Sequence, residues 1–403
     1  MNADRARPAQ IAWLIAGGSA LLAIASAVAV WALAFWTGGI YHFYDLNSYR
    51  DTLDGVVAGD LMYTWLGYPP VSLIVLSPLR GLPELAGDRL WTGASLLVIA
   101  GIAAIVARLS MEARRDAAAA DRPRWIALAG LATTMLLFSQ PGLTQLVNGQ
   151  LTLFVIALAF VDASGAFPRR WQGSLVGLAA ALKLTPLIFL PYYAITKQWR
   201  QLVVASASFG VFTAIGFDLF PADSLYFWTH ANSSARLGPE NPENLSIYGA
   251  LNRWLTDPTA VQMVWLLLAG TVAVLAYWQA RAHFRRGELV EAALVVGCAS
   301  TSVGPIAWPH YLIWVVLVTI WLLFTGERRW IWTAAGLYLL YSPAFAAVVG
   351  VGIAADSLVA KAAWELLVLA PIAIAALGLP RRPPRGSSQP TITAATIPVE
   401  TLR

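Results

Sequence analysis

Charge is what this chain has least of. Of its 403 residues 12% are charged, while 58% are hydrophobic and mean hydropathy is +0.63. Soluble domains carry about twice that share of charge. A soluble globular fold is therefore excluded, and an all-α polytopic membrane protein is expected. Cysteine is limited to Cys298, inside an apolar run. No intramolecular disulfide can form, and no Cys/His set has metal-ligand spacing. The net charge of +5 is spread in short groups between apolar runs. That placement reads as membrane orientation and not as a patch that tracks phosphates, so no nucleic-acid partner is expected.

What the chain does have is long apolar runs. A crossing helix needs roughly 20 such residues. Runs fall near 11–36, 86–107, 125–140, 150–166, 173–196, 201–219, 258–282, 289–306, 311–325, 330–350 and 360–379. They predict about 10–12 transmembrane helices in a single domain over 11–380. The first run follows Arg5 and Arg7 and is too long for a signal-peptide core, so it reads as an uncleaved helix after a cytoplasmic segment, 1–10. Residues 381–403 are rich in Pro, Ser and Thr without apolar period, which predicts a disordered cytoplasmic tail.

Lys and Arg near helix ends stay on the cytoplasmic side. The groups Arg108/Arg114/Arg115/Arg122/Arg124, Arg169/Arg170, Lys197/Arg200, Arg281/Arg285/Arg286, Arg328/Arg329 and Arg381/Arg382/Arg385 can all lie there on two conditions. The first is that "YPPVSLIVLSPLRGLP", 68–83, does not cross but lies along or dips into the outer face. The second is that 173–196 enters and returns. Each half of that run is about 16 Å of helix, and Pro186 breaks between them. Broken backbone at membrane depth persists only where protein or a wet cavity satisfies it. The tip, "KLTP", is therefore a cavity candidate. The outer face then receives 37–85, 140–150, 219–257, 304–310 and 350–360, which hold nearly all the unusual polar residues.

Asp45 stands where the first crossing ends, among Tyr41, His42, Phe43, Tyr44 and Tyr49. Such aromatics hold a segment at headgroup level, where a carboxylate meets both a lipid-linked substrate and water. It suits a general base; the plain alternative is a capping or solvated acid. Asp51 and Asp54 lie on a short helix, 47–58, and face solvent. Asp60 is a second acid candidate or a loop cap. In "QLVNGQL" the amides of Asn148 and Gln150 flank a turn at Gly149, either a ligand contact or an ordinary helix connection. Lys183, midway along an apolar run, is costly in lipid and is a functional candidate by default, with an anionic phosphate as its natural partner and snorkelling as the alternative. In "ENPENLSIYGALNRW" the polar groups Glu240, Glu243, Asn244, Ser246 and Arg253 stand beside aromatics such as Trp254, as in sugar-binding loops or in any solvated loop. In "GPIAWPHYLIW", His310 sits on the outer side with Asp45 and Lys183, a site candidate or a satisfied structural histidine.

The ordered motifs "YDLNSY", "GDLMYTWLGYPPVSLIVLSPL", "NGQLTLFVIALAFVD", "GSLVGLAAALKLTPLIFLPYY", "NLSIYGALNRW" and "GPIAWPHY" resemble an actinobacterial family of polyprenol-phosphate-mannose-dependent α-1,2-mannosyltransferases, of the family 87 type with the GT-C fold. The resemblance covers about residues 12–375. The high Ala, Gly, Pro and Arg content, with three lysines among 27 basic residues, fits a GC-rich actinobacterial genome. The family implies an inverting enzyme of the plasma membrane, its active site facing the periplasm. It implies Asp45 as catalytic base, His310 beside the donor phosphate and Lys183 at the hairpin tip. Tyr68, Asp60, Asn148, Gln150, Asn244, Arg253 and Trp308 fall in its motifs as substrate-binding candidates. Around His310 the chain departs from the family's paired histidines, having Gly304, Ala307, Pro309 and Tyr311. The implied partners are a lipid-linked donor, polyprenyl-phosphate-mannose, a phosphatidylinositol mannoside acceptor and membrane lipids. No metal or separate cofactor is expected, and a monomer is. A polyprenyl phosphate leaves without an acid catalyst, so one base suffices. Rival readings are a lipomannan or arabinan glycosyltransferase using a polyprenyl-phosphate sugar, and a lipid transporter or flippase. A transporter predicts paired helix interruptions, and one interruption is visible.

Overall fold

The computed structural model describes residues 3–35, 43–61, 67–114, 122–230, 241–354 and 357–381. Among them every regular element is helical, as a bilayer demands of a chain whose backbone groups must be satisfied within each segment. The α-helices are α1 (Ala3–Phe35), α2 (Tyr44–Ala58), α3 (Ser72–Leu76), α4 (Glu84–Arg114), α5 (Arg122–Leu137), α6 (Gln140–Asn148), α7 (Thr152–Ala163), α8 (Ser174–Leu182), α9 (Phe189–Ile195), α10 (Trp199–Leu219) and α11 (Pro221–His230). They continue with α12 (Ile247–Trp254), α13 (Pro258–Arg285), α14 (Leu289–Val303), α15 (Ile313–Thr325), α16 (Arg328–Leu340), α17 (Pro343–Ala354), α18 (Leu358–Trp364) and α19 (Leu366–Leu377). Tyr41, His42, Glu240 and the tail beyond residue 381 lie outside the described residues.

Five stretches are long and apolar enough to cross a membrane: Gln10–Phe35 of α1, α4, α10, α13, and α18 with α19. Two bent pairs, α5 with α6 at 67° and α16 with α17 at 48°, are long and apolar enough to cross if each pair is taken as one span. The remaining apolar runs correspond to shorter helices. The helices α7, α14 and α15 have 12, 15 and 13 residues, which is roughly 18–22 Å of rise. The reason is their position. Nearly every side chain of α14 and α15 is buried, with α13, α19, α4 and α16 packed around them. A helix walled by other helices need not match the lipid thickness, and the polar chain at its ends is satisfied by protein.

The run 173–196 enters and returns. The Arg200 guanidinium, at the start of α10, donates to the carbonyls of Arg169 and Arg170 at 2.8 and 2.5 Å. Both ends of the broken segment therefore lie on one face. Between them α8 ends at Leu182, Lys183 is extended, and a 3-10 turn over Thr185–Ile188 leads into α9. The helices α8 and α10 run side by side in the same direction. Gly173 lies against Gln201 and Ala205, and Gly177 four residues on lies against Ala205, Ser208 and Phe209. Two glycines at i and i+4 permit this close backbone approach, the small-residue packing of membrane helices.

The same face gathers Arg114, His283 and Arg381. Arg114 donates to the Gly326 carbonyl at 3.5 Å. His283 Nδ1 meets Glu288 at 2.7 Å, and its Nε2 accepts from the Leu379 N–H at 3.2 Å. A small cavity lined by Glu291, Gly326, Glu327 and Arg381 joins these ends. Segment 68–83 stays on the opposite face, where Arg80 pairs with Asp54 of α2 at 2.8 Å and Val71 touches Gly216 near the end of α10.

Candidate active site

The opposite face is where the polar segments meet. Phe43, in a left-handed conformation at φ 43°, precedes α2, and its N–H bonds to the Val147 carbonyl at 2.9 Å. Gly149 ends α6 at φ +66°, and a Cβ there would stand 2.7 Å from Leu46 Cβ. Together these contacts hold the first turn of α2, with Asp45, against the "NGQ" turn. Without glycine the two could not approach.

Asp45 is half-buried. Burial raises its carboxyl above the ordinary range, while the Gln150 side chain and the Lys183 ammonium act the other way and Glu243 adds to the rise. Gln150 is buried, and its Oε1 accepts from Tyr49 Oη at 3.1 Å, Tyr68 Oη at 3.0 Å and Thr152 Oγ1 at 3.3 Å. Gln145 braces the turn, donating from Nε2 to the Gln150 carbonyl and accepting from the Leu153 N–H at 3.2 Å. At the hairpin tip Lys183 Nζ donates to Thr152 Oγ1 at 2.6 Å and to Tyr68 Oη at 3.1 Å. It also lies over the rings of Tyr311 and Tyr68, 4.1 and 4.7 Å from their centroids. Snorkelling is thereby excluded for Lys183, which points into protein. His310 is 2% exposed and neither ring nitrogen has a hydrogen-bond partner. Such an orphaned buried polar group calls for a partner, whether water, an ion or a ligand group.

The structure thus brings Asp45, Tyr68, Gln150 and Lys183 together, with His310 adjoining through Tyr311. Asn148 and Trp308 are half-buried at the edges of the same segments. Three sequence candidates are placed otherwise. Asp60 is exposed near the far end of α2, its N–H folded back onto the Gly55 carbonyl at 2.9 Å, about 15 Å along the helix from Asp45, because the helix begins at Tyr44 and runs unbroken to Ala58. Asn244 Oδ1 accepts from the Ser246 and Ala307 N–H groups, at 3.2 and 3.0 Å, and Nδ2 donates to the Pro305 carbonyl at 3.0 Å. It staples the loop to the 305–307 segment. Arg253 forks onto Glu365 with two bonds of 2.8 Å and donates to the Asn244 carbonyl at 2.7 Å. Both side chains hold the outer loop in place, work that segment-level reading cannot separate from ligand binding. Asp51 and Asp54 are exposed, as their helix face requires.

Three contributors went unassigned as site residues from the sequence. Tyr49 stands one helical turn after Asp45 and so shares its face. Thr152 follows Gln150 by two positions, and Tyr311 adjoins His310. Chemically, the assembly offers a carboxylate beside an ammonium, with a partnerless imidazole close by. It can remove a proton and hold an anion within one pocket.

The model of glycosyltransferase family 87 matches residues 65–309. Over 342 residues the chain is 31% identical to the polyprenol-phosphate-mannose-dependent alpha-(1-2)-phosphatidylinositol mannoside mannosyltransferase of Mycobacterium tuberculosis, covering 79% of this chain and 76% of that protein. It is 26% identical over 346 residues to the corresponding pentamannoside mannosyltransferase of Mycolicibacterium smegmatis, covering 80% and 81%. It is 27% identical over 241 residues to an alpha-(1->3)-arabinofuranosyltransferase of Corynebacterium glutamicum, covering 57% and 54%. No solved structure matches the chain.

Proposed function

The chain belongs to glycosyltransferase family 87, and from that premise we propose that it transfers mannose from polyprenyl-phosphate-mannose to a phosphatidylinositol mannoside, forming an α-1,2 linkage on the periplasmic face of the plasma membrane. The observation that carries the reading is the convergence of Asp45, Lys183 and His310 on one face of the bundle, from segments far apart in the chain. Asp45 takes the proton of the acceptor hydroxyl, whose oxygen attacks the anomeric carbon. The bond from that carbon to the phosphate oxygen breaks, and its electron pair leaves with polyprenyl phosphate. A single displacement inverts the β-linked donor to an α-linked product. Lys183 supplies positive charge to the phosphate as it gains charge, and His310, with both nitrogens uncommitted, bonds to the same group. The donor carries its own leaving group, so the reaction calls for no separate cofactor.

The likeness to an arabinofuranosyltransferase favours a polyprenyl-phosphate pentose as second reading. Reconstituted protein given each donor with phosphatidylinositol mannosides, and the products weighed by mass spectrometry, separates the two. Asp45→Asn should abolish mannosyl transfer while donor binding persists, because removal of a general base costs ~10²–10⁴ in rate. More than about a tenth of wild-type turnover in that variant would remove Asp45 from the role.

A further inference from the structure

The hydrogen bonds at the site have a direction, and the direction assigns a task to Gln150. Lys183 has only donors. It donates to Tyr68 Oη at 3.1 Å and Thr152 Oγ1 at 2.6 Å. Each hydroxyl, having accepted there, turns its own proton onward, and Gln150 Oε1 lies 3.0 and 3.3 Å away. Tyr49 Oη accepts from the Leu151 N–H at 3.3 Å and likewise donates to Gln150 Oε1 at 3.1 Å. All three hydroxyls therefore have this one amide oxygen within donating reach, Tyr49 Oη having Tyr68 Oη at 3.4 Å as a longer alternative. The flipped amide would set its NH2 against three hydroxyl groups and its oxygen against a carboxylate. That leaves the Gln150 NH2 on the side of Asp45, whose carboxyl the amide favours in its charged form.

We propose that Gln150 is the positioning residue for the catalytic base: it links Lys183 to Asp45 through one ordered chain of donors, aims the carboxylate and keeps it charged. This rests on Asp45 being the base. The chain runs from ammonium N–H to hydroxyl oxygen, from hydroxyl proton to amide oxygen, and from amide N–H to carboxylate. Each bond polarises the next in the same sense, and such chains strengthen cooperatively in a low dielectric. The Lys183 cation, which the donor phosphate engages, is thereby felt at the acceptor side. The arrangement also takes up the Gln150 amide oxygen, leaving it no lone pair for sugar. It was a substrate contact by sequence, and the geometry makes it the support of one.

The groups facing Asp45 are Gln150, Lys183 and Glu243, with the Tyr49, Tyr68 and Tyr311 hydroxyls close by. A base works only when ionised, so turnover falls as pH drops through its pKa. Loss of a donor to the ionised form moves that fall to higher pH. The test is kcat/KM against pH for reconstituted wild type, Gln150→Leu and Tyr49→Phe, with polyprenyl-phosphate-mannose and a phosphatidylinositol mannoside. Gln150→Leu should move the acidic limb up by about one pH unit or more, as expected for a hydrogen bond to a charged group. Its rate should recover toward wild type at alkaline pH, with donor KM little changed. Tyr49→Phe takes a single bond from the amide oxygen and should give a smaller shift of the same sign, which keeps the test decisive if Gln150→Leu folds poorly. An unmoved limb in both variants, or an equal loss at every pH, overturns the assignment. Asp45→Asn distinguishes the two levels. If it is inactive while the limbs stay put, this inference alone fails; if it is active, the base assignment fails and this inference with it.

Discussion

A single methyl group at Gly177 should cost activity about 9 Å of helix away. Gly177 lies on α8 where it crosses α10, and a Cβ built there meets the Ala205 carbonyl oxygen, with Ser208 Cβ at 2.6 Å and Phe209 N at 2.9 Å. Carbon atoms in contact sit roughly 3.5–4.0 Å apart, so α8 and α10 must separate by about 1 Å. Backbone atoms form most of that wall and cannot rotate away. Overpacking of this kind costs ~1–3 kcal/mol. The greater effect is on the tip, because α8 ends one residue before Lys183. A displacement of about 1 Å at a catalytic group can lower turnover ~10²-fold. Gly177→Ala should therefore reduce kcat on the order of 10–100-fold while the protein still inserts and purifies. Gly210→Ala is the control, on α10 itself with nothing within 4 Å of its Cβ, and should match wild type. The assay is mannosyl transfer by purified protein in liposomes, beside the melting midpoint in detergent. Wild-type turnover in Gly177→Ala would refute the claim that the α8–α10 contact sets the position of Lys183.

Glu365→Gln should loosen the outer loop, since it removes the charge that Arg253 holds through two 2.8 Å bonds. A hydrogen bond to a charged group contributes ~1.5–3 kcal/mol, so limited proteolysis within 241–257 should accelerate; unchanged cleavage would mean the pair is idle. Reporter fusions after Arg170 and Arg286 should report cytoplasm, and insertions near Asn148 and Glu243 periplasm, because the basic groups share one face. A periplasmic signal at Arg170 would invert the proposed orientation. The acidic limb of wild-type kcat/KM should lie above the ordinary Asp value of ~3.9, because burial raises the Asp45 carboxyl. A limb at or below that value would place the base elsewhere.

Membrane class, the longest crossing segments and the broken hairpin were legible in the residues themselves. Lipid selects on local composition: an apolar run long enough to span needs no distant partner, and the proline of "KLTP" interrupts its own helix. Asp45 and Lys183 stood out because each is costly where it is found. What local composition cannot encode is which polar groups are spent on one another. Tyr49 meets Gln150 across 101 positions, and Lys183 meets Tyr68 across 115. Arg253 is taken by Glu365, 112 residues on, which the sequence offered no reason to pair with it. Asp60 stood in the same motif region as Asp45, and only the unbroken helix between them carried it out of the site. The central helices α14 and α15 were legible as apolar but not as short, since their length depends on being enclosed by other helices rather than by lipid. Hydropathy is a property of each residue with its solvent. The hydrogen-bond order that aims Asp45 is a property of the folded set, and it exists only once packing has brought those groups within 3 Å or so of each other.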